Sequence, residues 1–342
     1  RFATDKTLIT ESVHHAKENI DLVLLLILCI FAGILLGSVP LSPASVLRCL
    51  AGLERDSTAY ILVTTVRLPR AAGACLAGMG LAAAGVILQS VMNNSLASPN
   101  TIGVNSGAGF AVMLALMLGG SYTSAVPAAA FAGALATTLV IFLLAYLADS
   151  SRTTIILAGI TVSSFLGAGI NTIKLLDTDI AVNLTTFMIG SLSGITFDQL
   201  KFPAAALITA LLLCLFLTRP LNVLSLGDDI ARSLGLNVIP VRLALLVLSS
   251  VLSGCVVSYA GLLSFVGLIV PHICRRLFGN DARYLLPCSA LLGASFVLLC
   301  DILGRVLFAP FELPAGVLMS FIGGPFFLYL LFKKKGGRRV NA

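Results

Sequence analysis

Charge is scarce in this sequence. Asp, Glu, Lys and Arg make up 11% of its 342 residues, whereas an ordinary soluble domain carries about 25%. A soluble globule needs charge to cover its surface, so this composition excludes a cytoplasmic enzyme, a DNA-binding protein and a disordered chain. Residues 71–148 contain no charged side chain, and such a run can supply three membrane spans of about 20 residues each. The sequence predicts an all-α integral membrane protein, since β-barrel strands alternate and give no long apolar runs.

Signatures of catalysis and metal binding are also missing. The sequence has no GxxxxGKS or GxxxxGKT motif with which to hold ATP phosphates, and it has no HExxH motif. The eight cysteines form no CxxC pair, and they are expected to be small buried hydrophobic residues. His272 alone cannot build an active site within a membrane. We therefore expect a chain that is not an enzyme and that holds no metal or cofactor of its own.

The predicted spans lack charged residues in their interiors. Residues 71–148, 153–173 and 243–274 contain no Asp, Glu, Lys or Arg, whereas carriers driven by protons or sodium usually keep ionisable residues there. A secondary transporter driven by an ion gradient is therefore a remote alternative, and an external motor is favoured. Asp301 and Arg305 lie four residues apart near a span boundary, so on a helix they would share a face and pair.

Uncharged stretches predict ten spans. Residues 180–197 are uncharged but rich in Gly and Ser, and they are interpreted as a non-spanning segment on the outer face. Residues 243–274 are too long for one span, and their glycines (Gly254, Gly261 and Gly267) favour a turn and two spans. The predicted spans are 22–41, three within 68–148 with breaks near Asn93–Asn100 and Gly119–Pro127, 153–173, 202–218, two within 243–274, 284–300 and 313–332.

Basic residues orient these spans. The tail 333–342 is strongly basic and is expected in the cytoplasm, and an even number of spans places the N-terminal segment 1–21 there too. This arrangement puts 15 of the 22 Lys and Arg residues on the cytoplasmic side and 7 outside, in agreement with the positive-inside rule. The whole chain, 1–342, is then one transmembrane domain with cytoplasmic N- and C-termini.

The loop 219–242 joins the sixth and seventh spans on the cytoplasmic side. Asp228 and Asp229 follow Gly227 and suit the N-terminus of a helix, and Gly235 can end that helix. A connector between two spans does not need a detached helix. We interpret this one as a knob that inserts into the groove of a partner, and the alternative is a helix that is merely solvated.

Five sequence blocks extend from the second span to the last. They are RLPRAAGACLAGMGLAAAGVILQSVMNNSLASPNTIGVNSGAG (67–109), GDDIARSLG (227–235), SFVGLIVPHICRRLFGNDAR (264–283), LLPCSALLGASFVLLCDILGR (285–305) and ELPAGVLMSFIGGPFFLYLL (312–331). Together they resemble the permease family of iron-siderophore, haem and cobalamin ABC importers, and the resemblance covers almost the whole chain. It implies ten helices per subunit and a location in the bacterial cytoplasmic membrane.

The resemblance also implies an assembly and a cargo. A second, usually identical permease subunit would complete the path, two ATPase subunits would bind ATP and Mg on the cytoplasmic side, and a substrate-binding protein would dock outside. The lipid bilayer is the remaining partner, and nucleic acid is not one. Ferric siderophores are the expected cargo, moved by alternating access, and cobalamin or haem is the alternative on the same fold.

Three sets of site residues follow from the matching motifs. The first transmits movement from the ATPase, the second pairs with acids of the binding protein, and the third forms the cytoplasmic gate. The alternative for the second set is a role as snorkelling interfacial anchors. Ser95 stands where the family usually has Pro, which frees one backbone N–H and loosens the turn. The sets are Gly227, Asp228, Asp229, Ala231, Arg232, Ser233, Leu234 and Gly235 for coupling; Arg67, Arg70 and Arg305 for docking; and Asn94, Ser95, Leu96, Arg152 and Thr153 for the gate.

Overall fold

The computed structural model describes residues 2–120, 125–148 and 151–336. Every regular element within these ranges is a helix, which confirms the all-α prediction. The last six residues of the predicted basic tail, and part of the predicted break at Gly119–Pro127, lie outside the described residues.

The described residues form sixteen α-helices. A π-helical turn, Leu62–Arg67, joins the third helix to the fourth, and a 3₁₀ turn, Pro99–Ile102, precedes the fifth. The helices are α1 Phe2–Leu35, α2 Pro43–Leu50, α3 Thr58–Ile61, α4 Leu68–Val91, α5 Val104–Met117, α6 Ala125–Leu147, α7 Arg152–Leu176, α8 Thr178–Asn183, α9 Thr185–Ile189, α10 Phe197–Phe216, α11 Thr218–Ser225, α12 Asp228–Ser233, α13 Val238–Ala260, α14 Val266–Phe278, α15 Ala282–Val306 and α16 Ala315–Gly336.

Six described helices are long and apolar enough to cross a membrane. They are Thr58–Val91, which unites α3, the π turn and α4, together with α6, α7, α10, α13 and α15. Three shorter apolar stretches, Asn19–Leu35, Val104–Met117 and Ala315–Tyr329, lie at other predicted spans. With α14, a helix therefore lies at each of the ten predicted positions, and six of these helices meet the length and composition of a span.

The stretch 243–274 does contain a chain reversal, at Gly261. Gly261 has φ +70°, a conformation that glycine adopts at little cost, and it ends α13. Gly254 and Gly267 were predicted to favour the same turn, and this is wrong. Gly254 lies inside α13 against Phe131, and Gly267 lies inside α14 against the backbone of α4.

Residues 180–197 form no long helix, and their backbone pairs with the reversal after α13. The N–H of Leu262 donates to the carbonyl of Phe187 at 2.9 Å, and the N–H of Ser191 donates to the carbonyl of Ala260 at 2.9 Å. Backbone N–H and C=O groups that are buried away from water need hydrogen-bond partners within the protein. These two irregular segments therefore supply each other's partners.

Helix α4 forms the centre of the bundle and packs on α13, α14 and α15. In the most apolar 18-residue stretch of Thr58–Val91, 78% of the residues are buried. The corresponding values are 17% for α7 and 28% for α10. Gly78 meets the backbone of Gly293 in α15, and Gly85 meets that of Gly267 in α14, so closely that an added methyl group would overlap a carbonyl oxygen. Small residues allow this approach where no hydrophobic force drives helices together.

Replacing Gly78 with Ala tests this backbone contact. We expect Gly78→Ala to lower the free energy of unfolding by about 1–3 kcal/mol, because the methyl group forces two backbones apart. Gly167→Ala is the matched control, since a methyl group on Gly167 in α7 would meet nothing within 4 Å. Thermal unfolding of both variants in detergent measures the difference, and equal melting temperatures would contradict the packing of α4.

Candidate functional site

Two groups of charged side chains mark opposite ends of the bundle. Helix α15 runs antiparallel to α4, because Asp301 near its end pairs with Arg70 near the start of α4. Its 25 residues separate its two ends by about 37 Å. The end that holds Arg67, Arg70, Asp301, Arg305 and Glu312 is called the arginine end. The opposite end is called the coupling end. It holds α11 and α12 together with Arg152, Asp228 and Arg242.

Ion pairs and one hydroxyl hydrogen bond connect four segments at the arginine end. Nε of Arg70 donates to Asp301 Oδ1 at 2.9 Å, and its Nη1 contacts Glu312 Oε2 at 2.6 Å. Nε of Arg305 lies 3.1 Å from Asp301 Oδ2, which confirms the predicted pair on one helix face. The hydroxyl of Ser38 donates to Glu312 at 2.7 Å. Helices α4 and α15 are thereby linked to the segments that follow α1 and precede α16.

Two of these arginines also complete the C-terminus of α1. Nη1 of Arg67 donates to the carbonyls of Ile34 and Leu35 at 2.8 Å each, and Nη2 and Nη1 of Arg305 donate to those of Gly33 and Leu36 at 3.1 Å each. The last carbonyls of a helix lack partners within it, and the negative end of its dipole attracts cations. Side chains distant in sequence therefore supply the cap.

The three arginines predicted to dock a binding protein lie together but are buried. Arg67, Arg70 and Arg305 are 3–4% exposed, and their guanidinium groups contact carboxylates and carbonyls of this chain. Arg48 and Arg55, in the segment before α3, are exposed at the same end. Direct pairing of the three buried arginines with a partner's acids would require their internal contacts to open, so that role stays a prediction.

The coupling end contains the predicted short helix, α12. It begins at Asp228 after Gly227, whose φ is +119°, and the left-handed Gly235 follows its end, with φ +82°. The N–H of Leu236 donates to the carbonyl of Ala231 at 3.0 Å, which closes the C-terminal turn. Along the predicted loop 219–242, α11 occupies 218–225 and α13 already begins at Val238.

Most of α12 faces outward. Ala231 is fully buried, whereas Asp229, Arg232, Ser233 and Gly235 are exposed. Ile230 is 48% exposed and Leu234 63% exposed, so the free face is partly apolar. The helix therefore presents a small apolar surface at the end of the bundle.

Asp228 joins α12 to two long helices. Its Oδ1 lies 2.8 Å from Nη2 of Arg152, the first residue of α7, and its Oδ2 accepts a hydrogen bond from Nη2 of Arg242 in α13. Arg152 also donates to the carbonyl of Leu224 in α11 at 2.8 Å.

Burial alone would raise the pKa of Asp228, but the hydrogen bond from Arg242 and the positive charges of Arg242 and Arg152 lower this pKa below its ordinary value. Asp228 therefore stays ionised.

A second contact secures α11. The side-chain amide of Asn222 donates to Asp281 at 2.8 Å, and its oxygen accepts from the N–H of Ala282, the first residue of α15. Hydrogen bonds from Arg283, partly offset by burial, lower the pKa of Asp281 to about 2. Helix α11 is thus held to the start of α15.

The predicted gate residues separate into two places. Asn94, Ser95 and Leu96 form the turn after α4, where Asn94 Oδ1 accepts from the N–H of Leu96 at 3.0 Å. Arg152 instead belongs to the cluster around Asp228, and Thr153 beside it is exposed. Near the turn, Arg275 of α14 contacts Gln89 of α4 at 3.3 Å and Ser90 at 3.2 Å.

Sequence reasoning missed several of these partners. Arg242 carries no local signal, since it lies in an apolar helix 14 residues from Asp228. Asn222, Gln89, Arg275 and Asp281 gain their roles only from the packing of distant helices. Within the described ranges, no group of three or more His, Cys, Asp or Glu side chains is placed to hold a metal ion.

Neutralising a buried aspartate at the arginine end should destabilise the protein much more than neutralising an exposed aspartate. Asp301→Asn leaves two buried guanidinium groups without their shared carboxylate, and we expect a loss of about 3–5 kcal/mol in the free energy of unfolding. Asp198→Asn is the control, because Asp198 pairs with Lys201 in full contact with solvent and should change little. Denaturation in detergent measures both, and similar losses would contradict the cluster's structural role.

Comparisons with known proteins show which family this chain resembles. The model of the FecCD transport family matches residues 25–333. YfhA of Bacillus subtilis (strain 168), a permease protein assigned to a siderophore transport system, is 41% identical over 294 residues, which cover 83% of this chain and 84% of YfhA. The hemin transport system permease protein HmuU of Yersinia pestis is 34% identical over 325 residues, with coverage of 93% and 96%.

A solved structure described as an inward-facing conformation of a metal-chelate type ABC transporter has the same fold. It matches with a TM-score of 0.80 and 30% identity, over 93% of this chain and 99% of that one. The family model covers far more than half of the chain, and both relatives exceed 30% identity. The chain therefore belongs to the FecCD transport family: it is a multi-pass permease of ABC importers, in bacteria a protein of the cytoplasmic membrane, and not itself an enzyme, since a separate subunit hydrolyses ATP.

Proposed function

We propose that this chain forms the membrane path of an ATP-driven importer for ferric siderophores and works by alternating access. The observation that carries the proposal is α12, whose exposed Ile230 and Leu234 form an apolar tip while Asp228 connects the helix to α7 and α13. A short helix with such a tip suits a groove on a partner. ATPase subunits that bind ATP and Mg would contact the coupling end and move it.

The proposed assembly has both chain termini in the cytoplasm and ten spans. The basic residues 333–335 and 338–339 at the end of the sequence support this orientation through the positive-inside rule. The coupling end then faces the cytoplasm and its two ATPase subunits. The arginine end faces outward, towards a substrate-binding protein. A second, identical subunit completes the path between the two chains.

The remaining predicted roles are part of the same proposal. Arg67, Arg70 and Arg305 act in docking by fixing the outer surface around the end of α1, where the exposed Arg48 and Arg55 lie. The burial of all three, the capping of α1 by Arg67 and Arg305, and the ion pairs of Arg70 support this indirect role. The gate comprises two sets of residues, at the turn after α4 and at the start of α7. They are Asn94, Ser95 and Leu96, together with Arg152 and Thr153.

The cavity beside the turn after α4 fits a path that holds its cargo weakly. Its volume is about 220 Å³, and Leu96, Asn100, Ser264 and Phe265 line it without a charged side chain. A strong ionic site would slow release of a large chelate. YfhA and the metal-chelate transporter favour an iron chelate as cargo, and HmuU favours haem as the second candidate.

Uptake in cells with and without this gene tests the cargo. In iron-poor medium we expect loss of the gene to abolish uptake of a labelled ferric siderophore and to leave labelled haem and cobalamin uptake unchanged. ATP depletion should stop the uptake, whereas an uncoupler should not do so while ATP is maintained. A selective loss of haem or cobalamin uptake would keep the fold and overturn the cargo. Uptake that survives ATP depletion would indicate a secondary transporter.

A charged residue on the tip of α12 tests the ATPase contact. Leu234→Asp places a carboxylate in the proposed groove, and we expect co-purification of the ATPase to fall by about tenfold or more, as for an interface anchor residue. Leu53→Asp is the matched control, because Leu53 is also largely exposed, at 75% against 63% for Leu234, and lies in the segment before α3, at the arginine end. Equal co-purification of both variants would remove α12 from the interface.

A further inference from the structure

One carboxylate connects the N-termini of three helices at the coupling end. Asp228 is the first residue of α12, Arg152 is the first residue of α7, and Arg242 lies in the second turn of α13. The Arg242 side chain is 2% exposed, that of Arg152 17% and that of Asp228 24%. The cluster is therefore largely shielded from solvent screening.

Helix dipoles make this arrangement depend on Asp228. A cation in the first turn of a helix meets the positive end of the dipole, so Arg152 occupies an unfavourable position on α7, whereas Arg242, in the second turn of α13, is almost fully buried. An acid at the start of α12 occupies a favourable one. Without Asp228, two guanidinium groups would remain close together with no carboxylate between them. Asp228 is thus the carboxylate that pairs with both arginines at these helix ends.

Other constraints on α12 are slight. Ala231 is its fully buried residue, and the turns on both sides contain Gly227 and Gly235 at positive φ with open space around them. Glycines in such turns let a short helix pivot at little cost. If a partner moved α12, the flexible turns would therefore absorb the movement unless another contact connected α12 to the bundle.

Arg242 and Arg152 belong to helices that pack against different neighbours. Helix α13 packs on α4 and α6, and α7 packs on α5 and α6. We propose that Asp228 is a positioning residue for transport: through Arg152 and Arg242 it binds α12 rigidly to α7 and α13, so that ATPase movement reaches both helices together. This inference rests on the proposed function, since it requires an ATPase to move α12.

The test is the number of cargo molecules moved per ATP hydrolysed. The complete importer, with its ATPase and binding protein, is reconstituted in liposomes with a labelled ferric siderophore. We expect Asp228→Asn to assemble and to hydrolyse ATP, while the cargo-to-ATP ratio falls by about tenfold, the size of an ordinary coupling energy between sites. A merely structural role would change the amount of folded complex and leave this ratio unaltered.

The control is Asp179→Asn. Asp179 also lies in the first turn of a six-residue helix, α8, but it is exposed and follows the far end of α7. This variant should keep the ratio of the unaltered protein. A full ratio in Asp228→Asn would overturn the inference.

A second variant keeps the test decisive if Asp228→Asn fails to assemble. Arg152→Gln removes one of the two ion pairs and leaves the Asp228–Arg242 pair in place, so we expect an assembled complex with an intermediate ratio. A full ratio in Arg152→Gln would contradict the inference. If the unaltered protein shows no ATP-dependent uptake, the proposed function fails instead, and the two failures are thereby distinguished.

Discussion

Hydrocarbon does not tolerate unpaired charge, and this constraint determines where the described part of the chain places its buried ions. They form clusters at two ends of the bundle, around Asp301 and around Asp228, where each carboxylate is shared by two arginines. Between the ends, glycines let the backbone of α4 approach those of α14 and α15 closely, and Gln89 of α4 donates to the carbonyl of Gly267 in α14. Between the two clusters the described residues bury no charged side chain, and the ionic contacts hold the helices together at their ends.

The two clusters serve different mechanical purposes in the proposed importer. At the arginine end, Arg67 and Arg305 cap α1, and Arg70 and Arg305 share Asp301, so the arginines of this network are buried. At the coupling end, Asp228 holds an exposed helix that would otherwise pivot on its glycines. The first arrangement fixes a surface. The second can transmit a movement, because one side of it is open to a partner and the other is bound to long helices.

Local patterns predicted much of this fold. Uncharged runs located helices at all ten predicted positions, Gly227, the two aspartates and Gly235 located α12, and a spacing of four residues predicted the pair Asp301–Arg305. These features depend on neighbours along the chain. Arg152 and Asp228 are 76 residues apart, and Arg70 and Asp301 are 231 apart, so no periodicity could bring them together. The burial of the three outer arginines has the same origin, since it depends on the distant end of α1.

The rigid connection between α12 and α7 is the central claim, and a distance measurement tests it most directly. Spin labels on the exposed residues Ser233 and Thr153 would report the spacing of the two helices in the reconstituted importer, with and without ATP. The account predicts one narrow distance distribution that stays the same when ATP binds, because Asp228 moves the helices as one body. A distance that shifts or broadens with ATP would show α12 moving independently of α7, and it would contradict the account.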